Sequence, residues 1–334
     1  MSRLTSCGKG GKSLTLLPFL FLLTVLASLC LGSSPISPKE LFFALSDTQS
    51  TAYRIFFYAR LPRVLGGAVA GASLAVSGAL LQSVLNNSLA GPNIIGVNAG
   101  AGLATLLVMA IAPYSVSLMP AAAFIGALCA CLLIYAIASL SGASRTTIIL
   151  SGVAVSSIIN AASSSIKTFF PEITLSYNTF SIGSLSNITM DQVKWAAAYS
   201  LAGMAAALLM SHDMNILALG EDIASSLGLK CRRLRFFMIC SSSLLAGSAV
   251  SLGGLIGFVG LLVPHMSRML FGSDNRITVP ASAFLGATSL LFCDLLGRLL
   301  FAPFELHVGI VLSVIGGAYF VFLILKKKGG RLND

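Results

Sequence analysis

The residues able to do chemistry in this chain are few, and most sit at the ends of apolar stretches. Arg60 and Arg63 open one such stretch, and Arg298 closes another, four residues after Asp294. A guanidinium is planar and always charged, so it suits a bidentate grip on a carboxylate at a partly dried interface. The same positions suit helix-end anchoring or snorkelling, which avoids the roughly 2.5–3.5 kcal/mol cost of mid-membrane placement. Asp294 and Arg298 can also pair with each other at i,i+4. Spacing alone leaves these readings equal.

A second group lies in the polar interruption Met214–Gly228, MNILALGEDIASSLG, which Lys230, Arg232, Arg233 and Arg235 follow at once. Leu217, Ala218, Glu221, Ala224, Ser225 and Gly228 recur at three- and four-residue spacing. That pattern fits one or two short amphipathic helices punctuated by Gly220 and Gly228, although a surface loop is the plainer reading of the spacing. Glu221 would cap such a helix or accept from a basic residue on a partner chain. A third group, Ser151, Ser156, Ser157, Asn160, Ser163, Ser164 and Ser165, puts hydroxyls and an amide inside an apolar run. It would either line a polar passage or make interhelical hydrogen bonds, worth about 0.6 kcal/mol each.

Other chemistry finds less support. GKGGKS, residues 8–13, resembles a phosphate-binding loop but has Ser6 where the first glycine belongs, and the strand and helix of a soluble fold are absent around it. Cys30, Cys129, Cys131, Cys240 and Cys293 lie in apolar stretches, and no pair has CxxC spacing. Cys7 ends a short L-T-S-C with no apolar run before it, which excludes a lipoprotein cleavage site. His265, after Pro264, reads as capping or hydrogen-bonding a helix break there, and His307 sits near Glu305 in the last outer loop. No His, Cys or carboxylate set has ligand spacing, so no protein-bound metal is expected.

The elements that must hold these groups are set by composition. Of 334 residues, 56% are hydrophobic and only 10% charged, with mean hydropathy +0.92. A soluble domain carries about a quarter charged residues, so the chain is an all-α polytopic membrane protein. At roughly 20 residues per span, ten helices fit, near 14–32, 59–85, 94–112, 117–139, 147–168, 192–210, 234–253, 255–272, 279–300 and 308–325. A basic leader, 1–13, precedes one transmembrane domain, 14–328, and a tail, 329–334, follows it. Pro35 and Pro38 fall in the first outer loop, and the outer segment 169–191 includes a re-entrant-looking FSIGSLSNITM. The net charge of +10 does not imply nucleic acid, because the basic residues cluster beside spans. Fourteen of the 21 Lys and Arg fall on the side this topology puts inside, against Lys39, Arg54, Arg60, Arg63, Lys167, Lys194 and Arg298 outside. That bias places both termini in the cytoplasm. Gly67 and Gly71 form a GxxxG pair that Ser73 and Ser77 extend as a small-residue face. The turn 86–93, with a proline and three asparagines, should break both neighbouring helices. AGASLAVSG, 70–78, echoes AGSAVSLGG, 246–254, in spans of opposite direction, which suggests an inverted repeat of helices 2–5 and 7–10.

Three long motifs carry a resemblance. ARLPRVLGG, the GASLAVSGALLQ after it and NSLAGPNIIGVNAGAG are similar to the second-helix signature of the iron-siderophore, haem and cobalamin permeases of bacterial ABC importers. MNILALGEDIASSLGLK looks like that family's coupling loop, here 212–230. GGLIGFVGLLVPHMSRMLFGSDNR, 253–276, is similar to its third signature. Together they cover roughly residues 15–328. NNSLAGPN departs from the pattern, which usually has proline in place of Ser88 and an acidic or similar residue near Asn93, and should alter that turn locally.

The resemblance implies a multi-pass permease of the bacterial inner membrane. It would form a dimer with itself or a paralogue, sit above two ATPase subunits, and receive its ligand from an extracytoplasmic binding protein. ATP would be bound by the partner subunits, no cofactor by this chain, and the permease would not itself be an enzyme. A ferric siderophore is the expected cargo, with haem or cobalamin as alternatives. The resemblance assigns binding-protein docking to Arg60, Arg63 and Arg298. It assigns ATPase coupling to Asn215, Leu217, Ala218, Leu219, Gly220, Glu221, Ala224, Leu227 and Gly228. Ser156, Asn160, Ser163 and Ser164 would border the pathway. An ion-gradient transporter would place ionisable residues at mid-membrane, whereas Lys167, Asp294 and Arg298 fall near span ends. A membrane enzyme would need a nucleophile–base or carboxylate pair, which no span presents.

Overall fold

The computed structural model describes residues 16–32, 50–142 and 144–329, and every regular element among them is helical. The leader 1–13 with its GKGGKS, Cys7, Pro35, Pro38, Lys39 and the tail from 330 lie outside the described residues. Among the described residues, ten main helices are arranged in this order: α1 Leu16–Cys30, α2 Leu61–Leu85, α3 Val97–Ile111, α4 Met119–Leu140, α5 Arg145–Phe169, α6 Met190–Leu209, α7 Cys231–Gly253, α8 Val259–Phe271, α9 Asn275–Leu299 and α10 Val308–Gly329. Short helices Ser211–Ala218 and Glu221–Ser226 lie between α6 and α7, and Thr174–Ile182 lies between α5 and α6.

Among the described residues, five helices are long and apolar enough to cross a membrane: α2 with its leading turn, α4, α5, α7 and α9. A sixth crossing is made if α6 and the helix Ser211–Ala218, bent from it by 51°, count as one. α1, α3, α8 and the Val308–Phe322 part of α10 are shorter and apolar. At 1.5 Å per residue the 13 to 15 residues of such a helix reach only about 20–23 Å of a core roughly 30 Å thick.

Irregular backbone precedes α3 and α8. Asn86 adopts a left-handed conformation, φ 46°, and ends α2, as the asparagine-rich turn predicts. Pro92–Ile95 then forms a separate 3₁₀ turn closed by Gly96, φ 73°, so α3 starts at Val97 rather than near 94. Before α8, Gly254 and Phe258 both have positive φ, 72° and 66°. The broken backbone is satisfied by the outer segment: Leu255 N donates to Phe180 O at 3.1 Å, and Ser184 N donates to Gly253 O at 2.9 Å. Buried Leu185 and Ile188 fix that segment in the core, so it enters the bundle as its sequence suggests. Irregular chain at membrane depth is tolerated where protein buries it.

The expected break at Pro264 is not found. Pro264 and His265 lie inside α8, which runs through both to Phe271, and the break lies upstream at 254–258. Pro264 comes only about one turn into α8, so it removes one bond, to Gly260. That carbonyl lies against α2, where a Cβ added to Gly78 would stand 1.7 Å from Gly260 O.

α2 is the hub, with 78% of its apolar window buried against 28% for α5. Gly67 and Gly71 both face α9, and a Cβ on Gly71 would sit 2.4 Å from Gly286 O. Without a strong apolar driving force in lipid, such close backbone approach is what joins helices. Ser73 and Ser77 do not extend this face. Ser73 bonds Ser200 of α6 at 2.8 Å, and Ser77 bonds Ser242 of α7 at 2.7 Å.

Candidate functional site

Polar groups concentrate at the two ends of the bundle. At the end that the charge bias assigns to the outside, called the outer end, the π-helical turn Ile55–Arg60 leads into α2, with Pro62 in its first turn, and so presents Arg60 and Arg63. α9 ends opposite, with Asp294 and Arg298 on one face. The structure brings all three predicted arginines together around a cavity of about 120 Å³ that Glu305 also lines. Arg63 grips Asp294 with two nitrogens, Nη2 to Oδ1 at 2.8 Å and Nε to Oδ2 at 3.1 Å, and donates Nη1 to Glu305 Oε2 at 2.7 Å. Arg298 Nε lies 3.1 Å from Asp294 Oδ2, so the i,i+4 pairing foreseen in the sequence is made.

The remaining donors turn to the end of α1. Arg60 Nη1 donates to the carbonyls of Leu29 and Cys30 at 2.6 and 3.0 Å, and Arg298 donates to the carbonyls of Ser28 and Leu31 and to Ser28 Oγ. A helix C-terminus has unpaired carbonyls and a partial negative charge, so three arginines against two carboxylates are offset by α1. Asp294 is 1% exposed, Arg298 3% and Arg60 5%. The half-buried Glu305 and its partner Arg63 form the more open edge. Sequence reasoning named Glu305 without its role, since nothing local pairs it with a residue in α2.

At the opposite, inner end the segment forms two short helices rather than the surface loop that is the plainer reading of its spacing, with Gly220 between them at φ 113° and Gly228 after the second at φ 84°. A Cβ on either glycine would meet nothing within 4 Å, so backbone conformation alone calls for glycine. Met214, Leu217 and Ala224 are buried and fasten this bracket to the bundle. Leu219, Ile223 and Leu227 repeat every fourth residue and are 60%, 52% and 65% exposed. Ile223 was not singled out from sequence, though its i±4 spacing from Leu219 and Leu227 was available. Glu221 accepts two bonds from Arg235 at the start of α7, at 2.6 and 3.1 Å.

Asn215 ties the bracket to α9. Its Oδ1 accepts from Asn275 N and Nδ2 at 2.8 and 2.9 Å, and its Nδ2 donates to Asp274 Oδ1 at 2.7 Å. Asp274 also caps α9 by accepting from Arg276 N at 3.0 Å. Those two bonds, the backbone one first, hold its carboxyl below the usual aspartate range. In α5, Ser157, Ser163 and Ser165 spend their hydroxyls on carbonyls four residues back in their own helix, and Asn160 and Ser164 are exposed. Ser156 Oγ is buried without a partner. Among the described residues, no three His, Cys, Asp or Glu side chains are grouped to hold a metal ion.

Comparison with known proteins gives the family. Residues 20–326 match the model of the FecCD transport family. The chain is 35% identical to an iron-uptake system permease protein, FeuB, of Bacillus subtilis, over 95% of this chain and 96% of that one. It is 34% identical to a hemin transport system permease protein, HmuU, of Yersinia pestis, over 93% and 96%. A solved ABC transporter described as of metal-chelate type, in an inward-facing conformation, matches with TM-score 0.85 and 29% identity over 94% of this chain and 99% of that one. An all-helical membrane chain, matched along nearly its whole length, belongs to the FecCD transport family, the permeases of ABC importers for iron chelates, haem or cobalamin.

Proposed function

We propose that this chain is the membrane-spanning subunit of an importer that carries a ferric siderophore across a bacterial inner membrane. Two permease chains would enclose the pathway, two ATPase subunits would hydrolyse ATP beneath, and an extracytoplasmic binding protein would deliver the chelate. The observation that carries this reading is the exposed apolar row Leu219, Ile223 and Leu227 on a bracket whose other face is buried. Surface apolar rows of this kind mark protein contacts, and ATP-driven closure beneath would push the bracket as one body. Asn215 would pass that displacement to α9, whose far end carries Asp294 and Arg298. The outer arginines would receive carboxylates of the binding protein, with Arg63 and Glu305 at the accessible edge and Arg60 and Arg298 behind. Ser156, Asn160, Ser163 and Ser164 on α5 would border the pathway. The iron is cargo, already coordinated by its chelator.

Iron is favoured by the likeness to an iron-uptake permease. The test is uptake of labelled ferric siderophores, haem and cobalamin into proteoliposomes holding the permease with its ATPase and binding protein. ATP-dependent accumulation of a ferric siderophore alone is expected. Uptake of only haem or cobalamin would reassign the cargo, and uptake driven by an ion gradient without ATP would overturn the whole reading.

A further inference from the structure

Between the last turns of α6 and the first three turns of α7 runs a groove of about 380 Å³, whose inner end borders the coupling segment 212–230 and whose length beyond that segment the importer scheme leaves unused. It opens where the helix Ser211–Ala218 bends 51° away from α6. Its inner end is polar, with Asp213, Lys230 and Arg233, beside Leu209 at the end of α6; Phe237 lies further in along α7, and the groove reaches Ala206 and Ser241. From Lys230 to Ser241 the helix rises about 16 Å, so the groove passes from the cytoplasmic border well into the hydrocarbon. Among the described residues, neither Lys230, Arg233 nor Asp213 makes an ion pair, and both cations are exposed. Leu209 and Phe237 are 84% and 58% exposed.

We infer that this groove holds one anionic phospholipid of the inner leaflet, with a headgroup of the phosphatidylglycerol type. The gradient of polarity along the groove is that of a lipid, and a soluble partner would meet only its inner end. Lys230 and Arg233 donate to the phosphodiester, and basic clusters beside spans recruit anionic lipids in this way. Asp213, which would repel a bare phosphate, accepts from the glycerol hydroxyls of the headgroup. One acyl chain lies along Leu209 and Phe237. The inference rests on the membrane placement of α6 and α7 and is independent of the cargo.

The test is native mass spectrometry of the full-length chain, purified from nanodiscs of equimolar phosphatidylglycerol and phosphatidylcholine. The wild type is expected to retain phosphatidylglycerol. The pair Lys230→Gln, Arg233→Gln should retain roughly tenfold less. Ala206→Phe, which fills the deep end and leaves every charge in place, should lose as much, with Leu209→Phe as a second filling variant if the first expresses poorly. Loss in the charge variant but wild-type retention in both filling variants would mean general attraction to an anionic surface and would overturn the inference. Displacement of the lipid by about 10 mM inorganic phosphate would overturn it as well. So would a photo-crosslinker at position 233 that captures the ATPase subunit instead of lipid in the assembled importer.

Discussion

At the outer end, four charged side chains from α2, α9 and the loop after α9 pair with one another, and the charge they leave over, with Arg60 from the turn before α2, meets the carbonyls of α1. At the inner end, the bracket keeps one charged pair for itself, Glu221 with Arg235, and shows three large apolar side chains to its surroundings. The first region is electrostatically complete within this chain, and the second is not. A partner at the outer face must therefore compete with or add to existing ion pairs, which favours a contact that forms and releases. A partner at the inner face gains apolar burial at little competing cost, which favours one that stays.

The contrast breaks most severely at Asp294. Asp294→Ala leaves Arg63 and Arg298 without their shared buried carboxylate, at a cost of about 3–5 kcal/mol. The variant is expected to accumulate poorly in membranes and to melt far below the wild type. Glu305→Gln at the exposed edge should cost under about 1 kcal/mol by the same melting assay. Equal effects of the two would show that the outer cluster is not organised around Asp294.

At the inner face, replacing Leu219, Ile223 and Leu227 together by serine should leave the chain folded, because all three are exposed. Co-purification of the ATPase subunit should fall by about tenfold or more, as expected on losing a central apolar patch. Undiminished co-purification would place the ATPase contact elsewhere.

A smaller effect belongs to Asp274. Its carboxyl is held below the ordinary aspartate value, first by Arg276 N and then by Asn215. Its contribution is therefore present at neutral pH and is lost only as pH falls through that lowered value. The gap in melting temperature between wild type and Asp274→Ala should stay level from about pH 7 to pH 5 and close only below the usual aspartate value of about 3.9. A gap that closes at higher pH would mean that the capping set is not formed.

Much of the bundle is legible in the sequence, because lipid imposes long apolar runs and the chain marks their ends. Asn86, Gly220 and Gly228 are conformational stops that any reading of turn chemistry finds, and Ser144 caps α5 by accepting from Thr147 N. What periodicity cannot say is which neighbour a face meets. Gly71 and Ser73 look like parts of one small-residue stripe, yet one meets α9 and the other α6. The late start of α8 is equally hidden, since it depends on backbone bonds from Phe180 and Ser184, more than sixty residues earlier. At the candidate sites the residue types were legible and their partners were not. Arg63 and Glu305 are joined only by the fold, as are Asn215 and Asn275.

The measurement that bears most directly on the bracket is ATP hydrolysis and chelate uptake, followed together in proteoliposomes carrying Gly228→Ala. Position 228 has room for a methyl group but a backbone of φ 84°, so the change strains the hinge by about 1–2 kcal/mol and removes no contact. Hydrolysis should continue in an assembled complex while uptake falls several-fold. Unchanged uptake per hydrolysed ATP, at normal protein levels, would contradict a bracket that hands movement from the ATPase to the membrane helices.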